Sequence, residues 1–593
     1  MSVTSTIQSA VIAALEQMYN QAFSTKDFQI NQTKPEFEGD YTVVLFSLLK
    51  PLKQSPDALG NALGTYLTQT HPSLFSAFNV IKGFLNLTIT DSYWGAVLND
   101  NYQYNGYGRN AKKDKTIVVE YASPNTNKPL HLGHLRNIFL GWSVAEILKA
   151  DGYTVVKTCI ANDRGIHICK SMVAWQKFAN GATPESTGMK GDHFVGDYYV
   201  LFGAEYKKEI QELTAKGLSE AEAEKEAPIM KAAQQMLVDW EAGKPDVIAL
   251  WKKMNSWVYA GFDITYKRIG SDFDKMYYES DTYLLGKKLV EEGLQKGVFF
   301  KKEDNSVWVD LTADGLDEKI VQRKDGTAVY ITQDIGLAVN KYEEYKYESS
   351  IYVVGDEQNY HFKVLQLICR KLGLPSSDGI YHLSYGMVEL PSGRMKTREG
   401  TVVDADDIMD EMIKVAAQKT EELGKVKDFT TEELGKLYNT IGLGALKFFI
   451  LRVDPRKRMI FNPEESIDFH GFTASFVQFS HARAKAILRN EQPDNNFTLQ
   501  HNEALLPLEK DLIILLERYP AIIQQAAFEH NPSVIVNYCY DLAKTFNSFV
   551  TEHRVLKAES ENKKQLRLRI CQMTANVIAS GMNLAGIEVP ERM

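Results

Sequence analysis

Apolar residues recur along this chain in three patterns, and each pattern predicts a different kind of structure. Over residues 1–110, helical stretches alternate with short apolar strands such as FNVIKGFLNLTIT at 78–90. Over residues 111–425 strands and helices alternate again, whereas every strongly periodic segment beyond that point has the spacing of a helix. We therefore predict a small α+β N-terminal domain, an α/β central domain over 111–425 and an all-helical C-terminal domain over 426–593.

The first part of the central segment predicts a βαβ unit. TIVVEY at 116–121 indicates a buried strand, a helix is expected from about His131 to Asp151, and YTVVKTCIA at 153–161 indicates a second strand. Because a helical crossover joins parallel strands, the domain should contain a parallel sheet. The stretch from about 175 to 265 is polar and rich in Lys, Glu and Ala, which predicts an exposed helical insertion.

Composition indicates a soluble, globular protein of several domains. The chain has 593 residues, more than one core can organise, so roughly three to five domains are expected. Hydrophobic residues make up 44% and charged residues 24%, and the lack of any apolar, uncharged run of about 18 residues argues against a membrane span. The N-terminus has the pattern of an amphipathic helix rather than of a signal peptide.

Cysteine usage and charge narrow the class further. The five cysteines are scattered and form no C-x-x-C pair, which argues against structural zinc and a disulfide framework and favours a reducing cytoplasm. The net charge of −9 argues mildly against nucleic-acid binding, because an acidic surface repels polyanions on average. Three locally basic segments, at 452–459, 481–489 and 563–569, are either solvated helix faces or candidate RNA contacts.

The stretch IVVEYASPNTNKPLHLGHLRN at 117–137 carries the densest chemistry in the sequence. Lys128, His131, Gly133 and His134 stand where a strand gives way to a predicted helix. A helix N-terminus offers unpaired N–H groups to phosphate, glycine permits close approach, and the three side chains add donors and charge. This combination predicts a nucleoside triphosphate site in which the α-phosphate is attacked. A metal-binding pair and plain surface histidines are the alternatives, although zinc-binding histidines on helices usually stand four residues apart.

HLGH after a strand resembles the HIGH signature of class I aminoacyl-tRNA synthetases. The longer string VEYASPNTNKPLHLGHLRN resembles arginyl-tRNA synthetases in particular, in which a Ser-Pro-Asn and a Lys precede the signature, and ANDRGIHICKSM at 161–172 fits the same family. The resemblance implies a Rossmann-like parallel-sheet catalytic domain with an inserted helical segment. It also implies a small α+β N-terminal domain that contacts tRNA and a C-terminal helical bundle that binds the anticodon.

The family carries a second signature, KMSKS, and GMVELPSGRMKTREGTVV at 386–403 is the candidate for it. Gly393 and Gly400 bracket three cations, which suits a flexible loop that neutralises departing pyrophosphate. Arg394 replaces the first Lys of KMSKS and Thr397 the second; the family commonly departs in this way, with a Lys before HIGH as the substitute. By resemblance, the catalytic residues are His131, His134, Lys128, Lys396 and Arg398, and the ATP-binding residues are His131, Gly133, His134, Met387, Val388, Arg394, Met395 and Lys396.

A pocket for arginine must hold a planar, permanently charged guanidinium, which calls for carboxylates and an aromatic face. Tyr330 and Asp334 are four residues apart and would share one helix face. By resemblance, these two residues and Glu279 bind the guanidinium group, while other members bind the backbone end. The predicted arginine-binding set is Glu120, Ser123, Asn125, His131, Glu279, Tyr330, Asp334 and Gln358. Taken singly, such a carboxylate is far more often a helix cap or a surface charge, and only the joint match to one family supports the set.

SFVQFSHARAKAILRN at 475–490 resembles the start of the family's anticodon-binding domain. Aromatic rings can stack on splayed RNA bases while Arg and Gln read base edges. Phe476 and Phe479 are three residues apart, so packing of both rings in the core is the alternative. The predicted tRNA-binding residues are Phe476, Gln478, Phe479, His481 and Arg483.

Taken over nearly the whole chain, the resemblance implies an arginine–tRNA ligase that uses ATP with Mg²⁺, L-arginine and tRNA(Arg). It implies a cytoplasmic monomer with no structural metal and no membrane attachment. Three alternatives stay open: a class I synthetase for glutamate, glutamine or cysteine, a catalytically silent tRNA-binding paralogue, and a nucleotidylyltransferase. A cysteine enzyme should show zinc-ligand cysteines, a silent paralogue usually loses a signature residue, and a nucleotidylyltransferase needs no long helical C-terminal domain.

Overall fold

A computed structural model describes residues 2–389, 403–422, 428–500 and 503–593, with the backbone alone at 463 and 464. Within these ranges one apolar core runs from the N-terminal helices to the C-terminal bundle. A second, smaller core that includes Phe299, Ile335 and Ile368 lies at the side of the central domain. None of the helices in these ranges is long and apolar enough to cross a membrane.

The N-terminal part forms a four-stranded antiparallel sheet with helices against it, as the pattern predicted. Its strands, in the spatial order β1-β2-β4-β3, are β1 (Gln29–Gln32), β2 (Tyr41–Val44), β3 (Phe75–Ile81) and β4 (Phe84–Ile89). Its helices are α1 (Val3–Tyr19), α2 (Phe46–Leu52), α3 (Pro56–Thr70) and α4 (Asp91–Asn101). The predicted amphipathic first helix buries Ile7, Val11 and Leu15 and exposes its other face.

The central part is built on a five-stranded, all-parallel sheet in the order β12-β11-β5-β6-β7. Helices cover both faces, so the inner strands carry apolar residues on both sides of the sheet, and Val118 and Val119 have no exposed surface. The strands of this part are β5 (Thr116–Glu120), β6 (Thr154–Ala161), β7 (Lys275–Tyr278), β8 (Phe299–Lys301), β9 (Val307–Val309), β10 (Lys319–Gln322), β11 (Ser349–Gly355) and β12 (Ile380–Tyr385). The predicted βαβ unit is confirmed, since β5 and β6 pair in parallel across one helix.

Eleven α-helices accompany these strands in the described chain between residues 116 and 389. They are α5 (Leu132–Ala150), α6 (Ile166–Phe178), α7 (Pro184–Thr187), α8 (Gly191–Ala215), α9 (Glu220–Glu226), α10 (Pro228–Glu241), α11 (Pro245–Ile269), α12 (Glu279–Thr282), α13 (Lys287–Gln295), α14 (Tyr330–Tyr345) and α15 (Asn359–Lys371). Two 3₁₀ turns cover Thr312–Asp314 and Asp356–Gln358. The Rossmann-like character inferred by resemblance is therefore confirmed.

The insertion at 175–265 is helical, as predicted, but its first long helix is not simply exposed. α8 packs between α6 and α11 and buries Phe194, Val195 and Phe202. Its average composition is polar because apolar residues occupy only the faces that meet other helices. The sequence pattern also missed the small antiparallel sheet β10-β9-β8, because strands of three or four residues are too short to show a period.

The C-terminal part is a helical bundle preceded by two very short strands. The strands β13 (Val388–Glu389) and β14 (Met459–Ile460) pair in parallel. The helices are α16 (Ala405–Glu422), α17 (Thr431–Leu451), α18 (Pro463–Ser466), α19 (Ala474–Asn490), α20 (Pro507–Glu517), α21 (Tyr519–Glu529), α22 (Ser533–Glu552) and α23 (Glu561–Leu584).

The basic segment 563–569 on α23 is neither a solvated face nor free for RNA. Lys563 and Arg567 are buried, and both pair with the fully buried Glu509, at 2.6 and 2.8 Å. Arg569 is also buried and donates hydrogen bonds to backbone carbonyls, including that of Asp494. A local excess of cations therefore marks an internal ion-pair network here.

Candidate active site

The predicted phosphate-binding turn connects the end of β5 to the start of α5. Ala122 and Ser123 have φ angles of 71° and 44°, a left-handed turn that redirects the chain after the strand. His131 caps α5, and its Nδ1 accepts a hydrogen bond from the Gly133 N–H at 3.1 Å. The Nδ1 of His134 in turn accepts from the His131 N–H at 3.1 Å.

These two backbone hydrogen bonds determine which nitrogen of each imidazole carries the proton. A ring nitrogen that accepts from an N–H has no proton of its own, so the proton of each neutral ring is on Nε2. The ring centroids of His131 and His134 lie 3.9 Å apart, and the turn therefore offers two neighbouring Nε2–H donors. Gly133 lets the ring pack closely, because a Cβ there would lie 3.0 Å from His131 Cε1 and the ring would have to shift by a few tenths of an ångström.

Burial keeps both imidazoles neutral at neutral pH. Burial, together with repulsion from the Lys128 ammonium, lowers the pKa of His131 to about 4. The pKa of His134 lies well below its usual value, because of burial and because of repulsion from His131 and Lys128. Burial also lowers the pKa of Lys128, and no described residue forms an ion pair with its ammonium. Two neutral donors beside such a cation suit a phosphate.

The second predicted half of the ATP site lies only partly in the described chain. Arg394, Met395, Lys396 and Arg398 fall in 390–402, outside the described residues, so their roles stay predictions. The residues that follow this segment reach the turn. The Leu132 N–H donates to the Val403 carbonyl at 3.2 Å, and the Ala405 N–H donates to the Leu130 carbonyl at 3.0 Å.

The residues before that segment lie at the carboxyl edge of the parallel sheet. Met387 lies beside the end of β11, where a Cβ on Gly355 would be 3.7 Å from its sulfur. Val388 pairs with Met459 in the short β13–β14 ladder. Ligand sites of open parallel sheets lie at this edge. The positions of Met387 and Val388 are therefore consistent with the predicted ATP site.

Two polar residues of α5 that sequence reasoning left without a role hold these parts together. Arg136 has no exposed surface, and its Nη2 donates to the carbonyls of Pro455 at 2.9 Å and Lys457 at 2.7 Å. Asn137 accepts from the Ala122 N–H at 2.6 Å and donates to the Val353 carbonyl at 2.7 Å. The signal that could have identified them is a polar pair that stands between the apolar residues Leu135 and Ile138 in a largely buried helix.

Glu279 and Tyr330, two members of the predicted arginine pocket, line one cavity of about 440 Å³. Burial raises the pKa of Glu279 to about 7, against the opposing attraction of Arg164. Arg164 stacks on Tyr283 at 3.9 Å and pairs with Glu241 at 2.9 Å, so this pocket already holds one guanidinium between an aromatic face and a carboxylate. Tyr330 is 72% exposed and leaves the cavity open on its side.

The other predicted arginine-binding residues occupy different environments. The Asp334 carboxylate is hydrogen-bonded to His361 Nε2 at 2.6 Å. The sequence pattern did not predict this partner. Asn125 and Gln358 are exposed and Ser123 is half-buried. Glu120 is buried and forms an ion pair with Lys341, which has no exposed surface. Its carboxylate is therefore already paired within the protein, which corrects the prediction that Glu120 binds arginine directly.

Family models cover most of the chain. A model described as tRNA synthetases class I (R), catalytic domain, matches residues 96–462. Models described as Arginyl tRNA synthetase N terminal domain and DALR anticodon binding domain match residues 5–89 and 477–593. The chain is 52% identical to the arginine–tRNA ligase of Flavobacterium psychrophilum and 51% identical to that of Bacteroides thetaiotaomicron, over 100% of both chains in each case. The chain belongs to the arginyl-tRNA synthetase family.

Solved arginyl-tRNA synthetases share the fold at lower identity. The Thermus thermophilus enzyme matches with a TM-score of 0.79 at 23% identity, over 100% of both chains. The Plasmodium falciparum enzyme matches with a TM-score of 0.76 at 15% identity, over 100% of this chain and 99% of the other. At these identities the likeness concerns the fold, which is the three-part architecture described above.

The five predicted tRNA-binding residues lie on α19, and two of them point into the protein. Gln478 has no exposed surface, and its Nε2 donates to the carbonyls of Thr440 and Glu588 at 3.1 and 2.8 Å. His481 is buried 2.9 Å from the Pro590 carbonyl. For these two residues the tRNA prediction is corrected, because such side chains cannot reach RNA; they hold the C-terminal tail of the chain.

The other three residues are half-buried. Phe476 packs 5.2 Å from Tyr540, which favours the core alternative for that ring, and Phe479 is half-buried too. Arg483 donates to Asn547 at 3.1 Å. It also lines an open groove of about 640 Å³, which sequence reasoning missed because half of its wall comes from the chain after α22. The groove residues are Arg483, Ala486, Ile487, Asn490, Val550, His553, Arg554, Val555, Leu556 and Lys557.

Proposed function

We propose that this chain is an arginine–tRNA ligase that works in two steps. A carboxylate oxygen of L-arginine attacks the α-phosphorus of ATP, the bond to the bridging oxygen breaks, and pyrophosphate leaves arginyl-adenylate behind. The 2′-hydroxyl of the terminal adenosine of tRNA(Arg) then attacks the arginyl carbonyl carbon, gives up its proton, and displaces AMP. Full-length identity of 52% to a curated arginine–tRNA ligase supports the activity.

The pair of Nε2–H donors on His131 and His134 is the observation that carries the mechanism. Charge builds up on the α-phosphate oxygens during attack, and preplaced donors stabilise it more than they stabilise the ground state. Because Nδ1 of each ring is already held by a backbone N–H, the donors need no reorganisation. Lys128 adds positive charge upstream, and Lys396 and Arg398 would add further positive charge. No side chain need act as a nucleophile, because positioning and charge stabilisation provide the rate.

Arginine would enter the cavity that Glu279 and Tyr330 line. A guanidinium needs a carboxylate and an aromatic face, and these two residues provide both. Asp334, whose carboxylate is oriented by His361, would provide a second carboxylate, while Asn125, Ser123 and Gln358 would receive the amino and carboxylate groups. A pocket of this kind rejects neutral side chains, because its buried carboxylate would be left unpaired.

The groove beside Arg483 is the part of the C-terminal bundle that best suits tRNA. Its wall combines Arg483, His553, Arg554 and Lys557 with apolar residues, and no carboxylate lines it in the described chain. Phosphates and unstacked bases need such a mixture of cations and apolar surface. Anticodon binding here would place a polyanion on a locally cationic surface, although the net charge of the chain is −9.

Several finer features belong to the same proposal. Mg²⁺ would accompany ATP and would supply positive charge to its phosphates. The enzyme would act as a cytoplasmic monomer, with domains at 1–110, 111–425 and 426–593. By analogy with the family, arginine activation would require bound tRNA.

ATP–pyrophosphate exchange, measured with each of the twenty amino acids and with or without tRNA(Arg), tests the function. The proposal expects exchange with arginine alone among the amino acids and only when tRNA is present. Exchange driven by glutamate, glutamine or cysteine would indicate another class I synthetase. No exchange with any amino acid would favour a silent paralogue, and equal exchange with and without tRNA would refute the tRNA requirement.

A further inference from the structure

A cluster of opposite charges joins the helical insertion to the start of α16. The Lys190 ammonium, at the start of α8, lies 2.6 Å from Asp406 Oδ2, 2.6 Å from Thr265 Oγ1 and 3.0 Å from Asp192 Oδ2. His193 Nε2 lies 3.0 Å from Asp404 Oδ2. Side chains from α8, α11 and the start of α16 therefore meet in one network. None of these residues has a role in the proposed function.

Two glycines let these helices approach closely enough for the network to form. A Cβ on Gly191 would lie 2.0 Å from the Trp257 carbonyl oxygen, and a Cβ on Gly261 would lie 2.2 Å from Asp192 Oδ1. Neither position has room for a side chain without moving backbone. Asp192 has no exposed surface, so its charge must be matched inside the protein, and Lys190 provides the match.

The cluster is an internal ion-pair network rather than a metal site. Asp192, His193 and Asp406 have potential ligand atoms within 4.8 Å of one another. The Lys190 ammonium, however, makes hydrogen bonds to two of these three residues. A cation is thus already supplied by the chain itself.

The network is connected to the phosphate-binding turn through the first residues of α16. Asp404 Oδ1 accepts from the Asp406 N–H at 2.7 Å and so caps α16. The backbone on either side of Asp404 pairs with the turn: Val403 accepts from the Leu132 N–H, and the Ala405 N–H donates to Leu130. Asp404 and His131 form a β-bridge.

α8 touches the turn a second time. A Cβ on Gly196 would lie 2.7 Å from Pro129 Cδ and 3.6 Å from Lys128 Cα. The helix α8 therefore packs against Pro129, next to Lys128. Through His193 it also contacts Asp404, whose backbone pairs with that of His131. This arrangement gives the insertion a direct mechanical connection to the predicted phosphate donors.

We propose that Lys190 and His193 are positioning residues for adenylate formation: they hold Asp404 and Asp406 so that the His131 turn keeps its geometry. This inference rests on the proposed function of that turn. Neither side chain would touch substrate. Losing the Lys190 ammonium would remove the contacts of 2.6 and 3.0 Å that join Asp406 to Asp192. Asp406 would keep its longer contacts with His193 and Arg268, and the segment at 403–405 that pairs with the turn would be held less firmly.

The test compares Lys190→Met with Lys190→Arg, and with Lys244→Met as a matched control. Lys244 belongs to the same insertion and pairs with Asp239 at 2.8 Å, away from the turn. The assay is the single-turnover rate of adenylate formation with saturating arginine and tRNA(Arg). We expect the rate for Lys190→Met to fall roughly tenfold to a hundredfold, because displacement of catalytic groups by about 1 Å costs that much. We expect little change in the KM for arginine, near-complete recovery in Lys190→Arg, and wild-type rates in Lys244→Met.

Further arms separate the possible failures. Should Lys190→Met fail to fold, His193→Gln replaces it, because His193 is partly exposed and its loss buries no charge; the same slower step is expected. His131→Ala is measured alongside. If His131→Ala is as fast as wild type, the proposed role of the turn is wrong. If His131→Ala is slow while Lys190→Met and His193→Gln both match Lys244→Met, the turn acts without the insertion and this inference is overturned.

Discussion

The proposed role of Glu279 in binding the guanidinium predicts that arginine affinity depends on pH, in a direction set by the pKa of its carboxyl. Burial raises the pKa of its carboxyl to about 7, whereas a guanidinium requires the ionised form. With a pKa of about 7, roughly 9% of the carboxyl is ionised at pH 6 and roughly 91% at pH 8. Because the apparent dissociation constant equals the intrinsic one divided by the competent fraction, affinity for arginine should rise about tenfold over this range.

The measurement is the KM for arginine in ATP–pyrophosphate exchange, with saturating ATP and tRNA(Arg), at half-unit steps from pH 6 to pH 8. Glu279→Gln is the control, since it keeps the shape of the side chain and removes its titration. Any other group that titrates in this range contributes equally to both proteins and is removed by the ratio of their KM values.

The sign of the effect follows from the cause of the shift. A carboxyl whose pKa is raised by burial is neutral at the acid end, so binding must strengthen as pH increases. A KM ratio between wild type and Glu279→Gln that stays flat from pH 6 to pH 8, or that moves in the opposite direction, would refute the assignment of Glu279 to the guanidinium.

Three further predictions concern other parts of the molecule. Lys341→Met leaves the Glu120 carboxylate buried without its partner, so the free energy of opening β5, measured by hydrogen exchange, should fall by about 3–5 kcal/mol; unchanged exchange would show that the pair is not structural. Because burial lowers the pKa of His131 to about 4, kcat at saturating arginine should stay level from pH 8 down to pH 6 and decline only as pH approaches 4, and a decline centred on pH 6.5 would contradict neutral donors. Gln478→Leu removes the donor that holds the Glu588 carbonyl, which should cost about 1–3 kcal/mol locally and speed proteolysis of the C-terminal tail. If Gln478 instead contacted tRNA, the variant would show a raised KM for tRNA(Arg) and a tail as resistant to protease as that of wild type.

Much of the fold follows from the sequence because its main elements are long and periodic. The run Ile117–Val119 in β5 is apolar without a break, as expected for a strand covered on both faces. The long C-terminal helices likewise repeat apolar residues at helical spacing. The strands β8 to β10 were missed because they are short, and the buried face of α8 was missed because its few apolar residues are averaged into a polar composition.

The candidate site was predictable only where the chemistry is local. His131, Gly133 and His134 lie within four residues, so their hydrogen bonds can be expected from the string itself. The partners of Glu120, Asp334 and Gln478 come from Lys341, His361 and Glu588, and no local pattern shows that these residues meet. The sequence alone therefore could not distinguish an open side chain from one that is paired inside the protein, because that difference depends on residues far away along the chain.

The account depends most on the two Nε2–H donors at the start of α5, and His134→Ala tests them most directly. The measurement is the single-turnover rate of arginyl-adenylate formation with ATP, arginine and tRNA(Arg), with the exposed His470 changed to alanine as the matched control. The account predicts a loss of about 10²–10³-fold for His134→Ala, the usual effect of removing one preplaced donor, in an enzyme that stays folded and keeps its KM for arginine. A rate equal to that of His470→Ala in a folded enzyme would contradict it.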